Sequence, residues 1–284
     1  MQPSGYVKDQ IRNIHDLAFM RRRPTKQSAP ELISKNPGHV FMDWGGPYAI
    51  PTLGGNTVIL ECMDDCTART FVLLTPARDS RFVIQMLDHL HQYYNSCGIR
   101  LLSVTYDNAW EFGYGPTGSK LVKQWHIEHG VQHLFVEKYY KNQFPIERYH
   151  QKLTGTMLHY MVQAGAPECF YGMARVCAHA SHNNTPQKRA SQYMRKTSTP
   201  EHATSGRPMD ASFLHVPFCY AVIFNEAAAK MKNLRRRGIA AIYVMPNHDA
   251  VDIRSWQFIV PGETTLRTSR HVSWYDHHLS LIHI

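Results

Sequence analysis

The sequence contains no run of about 18 consecutive apolar residues, so we expect no membrane-spanning helix. Its opening residues, MQPSGYVKDQ, are polar and lack the apolar stretch of a secretory signal peptide. Only six cysteines are scattered over 284 residues, which is not the pattern of a disulfide scaffold. A reduced, intracellular compartment fits this usage best. Charged residues make up 19% and hydrophobic residues 43%, as in a foldable globular chain and not a disordered one.

Acidic residues are too few to balance the basic ones, and the net charge is +9. The excess is uneven: residues 1–37 carry +4, residues 38–183 carry −1, and residues 184–284 carry +6. Basic flanks around a nearly neutral middle suit a polyanionic partner such as nucleic acid. Ordinary surface lysine and arginine explain the same numbers, so charge alone does not decide between the two.

Periodicity predicts a mixed α/β sheet layered by helices, followed by a small β-barrel or sandwich. We predict residues 1–35 to be a linker or upstream remnant, 36–200 a catalytic core, 201–276 a small basic β domain, and 277–284 a tail without a recognisable pattern. The predicted strands of the core are 39–44, 56–63, 70–75, 101–106 and 131–136, and its predicted helices begin near 79, 119, 146 and 168. Strand-like runs follow at 220–224, 239–244, 256–260 and 271–274.

Three acidic residues occupy unusual places in this pattern. Asp43 lies within the first apolar strand, Asp107 directly follows the strand LLSVTY, and Glu147 opens the long helix. Such carboxylates can converge at one edge of a mixed sheet, where their oxygens suit Mg²⁺. Taken alone, an acidic residue at a strand end is more often a solvated turn or a cap.

Motifs around these residues resemble the integrases of long-terminal-repeat retroelements, and those of the copia type most. HVFMDWGGPY resembles the first-Asp motif, VTYDNAWEF the second-Asp motif, and PIERYHQKL the Glu-Arg helix. NTVILECMDDCTARTFV resembles the second and third strands, and STPEHATSGRPMD the stretch that follows the core. The likeness keeps its order over roughly residues 36–276, and that combination is specific where each motif alone would be weak.

The resemblance implies a ribonuclease H-like fold and a catalytic and metal-binding triad of Asp43, Asp107 and Glu147. It implies Mg²⁺, with Mn²⁺ able to substitute, and the processing and joining of DNA ends. We accordingly expect DNA partners, a homo-oligomer, no membrane association and an intracellular location in the nucleus.

Basic residues near these motifs are candidates for DNA contact. Arg148 and Lys152 follow Glu147 on its helix, although a structural ion pair is an equal explanation for Arg148. Arg235, Arg236 and Arg237 form a run that suits DNA or nuclear import, and a solvated loop explains it nearly as well.

Two departures from the family pattern leave a second hypothesis open. Ala109 stands where the family usually has glycine, and Gln143-Phe144 stand where it usually has Asn-Gly. The zinc-binding region that precedes the core in this family needs paired histidines and paired cysteines. Residues 1–38 contain one histidine and no cysteine, so no such zinc site can form within them. The alternative is a catalytically silent, nucleic-acid-binding ribonuclease H-like module.

Overall fold

The computed structural model describes residues 33–136, 145–207, 214–224, 238–246 and 255–279. Within them, residues 33–153 and 181–207 form one compact unit, the first unit. Residues 154–180 and the described residues from 214 onward form the second unit. None of the described helices is both long and apolar enough to cross a membrane. The domain boundaries drawn from the sequence stay predictions.

The first unit is built on a five-stranded mixed sheet. Its strands occur in the order β3-β2-β1-β4-β5. The β1–β2 and β2–β3 pairs are antiparallel, whereas β1–β4 and β4–β5 are parallel. This is the ribonuclease H-like arrangement that the resemblance implies, and the predicted fold class is confirmed. The strand bounds are His39–Gly45 (β1), Val58–Asp64 (β2), Thr70–Thr75 (β3), Ser103–Tyr106 (β4) and Gln132–Phe135 (β5).

The described residues contain six α-helices, and two of them were not predicted. The unpredicted ones are short, with seven and six residues, so they span fewer than two turns. The helix bounds are Ser80–Ser96 (α1), Lys120–His129 (α2), Pro145–Ala164 (α3), Tyr171–Asn183 (α4), Lys188–Met194 (α5) and Pro200–Ser205 (α6). Single 3₁₀ turns lie at Trp110–Phe112 and Glu168–Phe170.

Alternation along β1 gives the sheet two differently covered faces. Val40, Met42 and Trp44 belong to a core that also contains apolar side chains of α1 and α2. Phe41 faces the other way, into a small cluster with Ile146 of α3. Because side chains alternate along a strand, Asp43 belongs to the face that the start of α3 covers.

Helix α1 forms as its sequence predicts. Asp79 is its N-cap, and its side chain accepts a hydrogen bond from the Arg81 N–H. Its buried positions recur at three-and-four spacing and pack on the sheet as an amphipathic stripe. These residues are Ser80, Val83, Met86, Leu87, Leu90 and Tyr94.

The second unit contains a separate antiparallel sheet of five strands in the order β10-β6-β7-β8-β9. Four of its strands overlap the predicted runs, β10 continues to Leu279, and the three-residue β9 was not predicted. An apolar cluster that includes Cys219, Tyr243 and Phe258 stabilises it. The bounds are Cys219–Phe224 (β6), Gly238–Pro246 (β7), Trp256–Ile259 (β8), Arg267–Ser269 (β9) and Val272–Leu279 (β10).

The turn between β2 and β3 is organised by the fully buried Asp64. Its carboxylate accepts hydrogen bonds from the Gly38 N–H at 2.8 Å and the Tyr94 hydroxyl at 2.8 Å. It also accepts from the Thr67 N–H at 2.7 Å and the Thr67 hydroxyl at 2.8 Å. Four donors satisfy both oxygens, so Asp64 is a structural residue of this turn.

Replacing Asp64 with alanine should therefore strongly lower the stability of the first unit. Four buried donors would lose their acceptor, which costs about 3 kcal/mol or more of unfolding free energy. Urea denaturation of Asp64→Ala would measure the loss. Glu128→Ala, at an exposed position of α2, is the control and should change stability by less than about 0.5 kcal/mol. A loss under about 1 kcal/mol for Asp64→Ala would contradict this account of the turn.

Candidate active site

Parallel pairing brings two carboxylates together that are 64 positions apart in the sequence. Strands β1 and β4 pair from His39 opposite Ser103 to Met42 opposite Tyr106. Asp43 is the next residue of β1, and Asp107 directly follows the end of β4. Neighbouring strands lie about 4.8 Å apart, so the two residues stand side by side at the carboxyl end of this pairing. That end is where open α/β sheets bind their ligands.

The carboxylate of Asp107 is only partly hydrogen-bonded within the described residues. Its Oδ1 is buried and has no hydrogen-bond partner among the described residues. Burial, together with the negative charges of Asp43 and Glu111, raises its pKa to about 6, against the opposing effects of Arg78 and the Ala109 N–H. A buried carboxylate oxygen without a donor, beside two other carboxylates, is the environment that a bound cation would satisfy.

Asp43 has a contact on each carboxylate oxygen. Oδ1 accepts a hydrogen bond of 2.8 Å from the N–H of Trp44. Oδ2 lies 3.5 Å from Nε2 of His150, on α3. The other ring nitrogen of His150, Nδ1, is in close contact with Oε2 of Glu61. Glu61 lies on β2 directly opposite Asp43 and is only 2% exposed.

His150 is a cation at neutral pH in this environment. Burial by itself lowers the pKa of its imidazole, but the carboxylates of Glu61 and Asp43 outweigh burial and raise the pKa to about 9. Neither His150 nor Glu61 was predicted as a site residue. Two signals were present: His150 is three residues after Glu147 and so on the same helix face, and Glu61 interrupts an apolar strand.

Glu147 lies in the first turn of α3 and is exposed. It is one helical turn before His150, which contacts Asp43, so the fold brings Glu147 to the same side of the sheet as Asp43. The dominant charges acting on Asp107 are those of Asp43, Glu111 and Arg78, and not that of Glu147. Among the residues that the structure describes, no three His, Cys, Asp or Glu side chains are grouped closely enough to hold a metal ion. The triad as a metal-binding set therefore stays a prediction.

The predicted DNA contacts differ in their surroundings. Arg148 is exposed. Lys152 donates a hydrogen bond of 2.8 Å to Oε1 of Gln187, and its Nζ lies 3.4 Å from Nδ1 of His182. Burial lowers the pKa of Lys152. Arg235, Arg236 and Arg237 lie outside the described residues, and all five contacts stay predictions.

The first unit thus has a ribonuclease H-like sheet with paired carboxylates at one edge. Neither a protein-family model nor a curated protein matches the sequence. Among solved structures, the chain is similar to the catalytic core domain of BIV integrase, with 15% sequence identity and a TM-score of 0.43. That similarity covers 59% of this chain and 93% of the BIV domain. At this level of similarity, the comparison assigns no residue roles.

Neutralising Asp107 should stabilise the protein at neutral pH. The pKa of about 6 in the folded state lies above the ordinary value of 3.8, so the charge destabilises the fold increasingly between pH 4 and 6 and fully above 6. Asp107→Asn should therefore raise the unfolding free energy at pH 7.5 by about 1 kcal/mol, a moderate value because the side chain is partly solvated. At pH 4 the gain should nearly vanish. Denaturant unfolding at pH 7.5 and at pH 4 measures the two changes in unfolding free energy, with Glu128→Gln as the control. An Asp107→Asn variant that is destabilised equally at the two pH values would contradict the prediction.

The charge state of His150 can be measured directly. In the metal-free protein, NMR titration of its ring should give a midpoint near pH 9. Glu61→Gln removes the nearest negative charge while burial remains, so the midpoint should fall towards or below the ordinary 6.5. The signal is assigned by its disappearance in His150→Gln. His89, whose pKa is lowered by burial and by Arg69, is the internal control and should not respond. A titration midpoint of His150 that is unchanged in Glu61→Gln would show that the Glu61 carboxylate does not raise the pKa of His150.

Proposed function

We propose that this chain is the catalytic region of a copia-type retrotransposon integrase, a DDE polynucleotidyl transferase that processes DNA 3′ ends and joins them to target DNA. The observation that carries the proposal is the side-by-side placement of Asp43 and Asp107 at the carboxyl end of two parallel strands. The order of motifs along residues 36–276 supports it independently.

The adjacent carboxylates of Asp43 and Asp107 offer the ligand chemistry that a divalent cation requires. Asp107 offers a buried oxygen without a donor among the described residues, and its pKa is raised by burial first and by the negative charge of its neighbours second. Asp43, Asp107 and Glu147 would supply the carboxylate oxygens that Mg²⁺ prefers, and Mn²⁺ takes similar ligands. When bound, such ions activate the attacking oxygen and stabilise the leaving one in phosphodiester chemistry.

The chain itself contributes position and charge. The strand pairing fixes Asp43 and Asp107, while the first turn of α3 presents Glu147 on the same side of the sheet. In the first reaction, water attacks a phosphodiester near the end of the element and releases a 3′-hydroxyl. That hydroxyl then attacks a target phosphodiester in line, so one P–O bond forms as another breaks. No covalent bond to the protein is needed.

DNA binding is part of the same proposal. The exposed Arg148 follows Glu147 directly, so it is placed to contact a phosphate beside the site, with Lys152 one turn further on. The basic flanks, including Arg235–Arg237, would hold the polyanion against a core that is itself nearly neutral. A homo-oligomer and a nuclear location belong to this proposal as well.

One observation favours the silent nucleic-acid-binding module instead. The imidazolium of His150 already places a positive charge between Asp43 and Glu61, which partly neutralises these carboxylates without a metal. A protein that keeps the fold and binds DNA without chemistry would tolerate this arrangement.

A strand-transfer assay on element-end DNA with Mg²⁺ or Mn²⁺ separates the two functions. The unmutated chain should form joined product, whereas Asp43→Asn, Asp107→Asn and Glu147→Gln should reduce product to background because each removes a ligand charge. Glu128→Gln is the control with full activity, and fluorescence anisotropy should show that every variant still binds DNA.

The two failures are informative in different ways. DNA binding without any product from the unmutated chain would support the silent module. Product that persists in Asp107→Asn or Glu147→Gln would show that the triad is wrongly assigned.

A further inference from the structure

Three side chains from three different elements meet beside the candidate active site. Glu61 on β2 and Asp43 on β1 are direct partners in the antiparallel pairing. His150 on α3 contacts both, with Nδ1 towards Glu61 and Nε2 towards Asp43. Both ring nitrogens therefore face a carboxylate, and only one of these carboxylates belongs to the predicted triad.

The buried position of the Glu61 carboxylate is energetically unfavourable. Every residue of β2 is buried, and a buried carboxylate is strongly unfavourable unless a partner compensates it. Nδ1 of His150 is in close contact with Oε2 of Glu61 and is its partner there. Replacement of such a buried pair by apolar residues is commonly neutral or stabilising, so fold stability alone does not account for Glu61.

His150 contributes to the orientation of the Asp43 carboxylate. Trp44 N–H holds Oδ1, and His150 lies at Oδ2, so both oxygens have a fixed neighbour. Each carboxylate oxygen has two lone pairs, and one contact per oxygen leaves capacity for a further partner. The 3.5 Å distance is long for a hydrogen bond, as contacts in catalytic sites often are before substrate and cofactor bind.

We propose that His150 and Glu61 are positioning residues for the transfer reaction: Glu61 holds the His150 ring, and the ring orients the carboxylate of Asp43. This inference rests on the proposed function. It follows the general pattern in which an outer carboxylate and a histidine orient a metal-binding group. Because His150 is one turn after Glu147, its contact with Asp43 also sets the height of that helical turn above the strand.

Matched neutral variants isolate orientation from charge. Gln and Met are alike in length and both uncharged, but only Gln offers an amide that can donate to Asp43 or accept from His150. His150→Gln and His150→Met are therefore compared with each other, as are Glu61→Gln and Glu61→Met. Met fills the buried space at both positions, so the variants should stay folded, which thermal unfolding verifies.

The primary readout is the affinity of the protein for Mn²⁺ alone, measured by electron paramagnetic resonance. We expect His150→Gln to bind Mn²⁺ about tenfold more tightly than His150→Met, and Glu61→Gln more tightly than Glu61→Met. The difference at position 61 should disappear when residue 150 is Met, because Glu61 acts through His150. Strand-transfer product at saturating Mn²⁺ should follow the same order.

Results that differ from this expectation distinguish a failure of the positioning role from a failure of the proposed function. Equal Mn²⁺ affinities for the Gln and Met variants would overturn the positioning role, and the proposed function would stand if the unmutated chain still makes product. The expected order of affinities without product from the unmutated chain would refute the transferase and with it the role in transfer, and would leave His150 and Glu61 as residues that orient Asp43 for a cation. An unmutated chain that does not bind Mn²⁺ would overturn both.

Discussion

The site depends on one constraint, the parallel pairing of β1 with β4. This pairing fixes the backbones of two acidic residues side by side at the edge of the sheet, where their negative charges repel each other. The strands cannot relieve the repulsion by moving apart, because their other side chains, such as Met42 and Tyr106, are locked in the core. The cohesion of the core thus maintains an unfavourable charge arrangement at its rim.

Four acidic residues of the first unit differ in their surroundings. Asp64 is surrounded by hydrogen-bond donors, and Asp65 is paired with the buried guanidinium of Arg189. Glu61 faces an imidazolium. Asp107 alone of these four has a buried oxygen without a partner among the described residues. Asp64, Asp65 and Glu61 thus have partners within the fold, whereas one oxygen of Asp107 has none among the described residues.

Much of the fold could be predicted, because its signals are local and periodic. Alternation in β1 and the three-and-four spacing of α1 both appear in the structure, and α1 begins after its N-cap Asp79, near the predicted position. The short helices α5 and α6 and the strand β9 are too brief to show a period. Their formation depends on tertiary contacts, such as that of Arg189 with Asp65.

The candidate site was predictable only in part. Asp43 and Asp107 stood out because acidic residues interrupt or end apolar strands. The roles of Glu61 and His150 arise where α3 crosses β1 and β2, and no linear pattern encodes that crossing. Likewise, the adjacent aspartates 64 and 65 read alike in the sequence, and only their donors show that they serve the turn between β2 and β3.

The environment of Asp107 has an evolutionary consequence. Random substitution steadily removes residues that cost stability unless selection for activity retains them. A descendant of this chain released from such selection would lose the charge at position 107 early, since its loss relieves the fold, and would keep Asp64 for as long as it folded. Under the proposed function, selection for chemistry would retain the acidic residue at position 107 at the expense of stability.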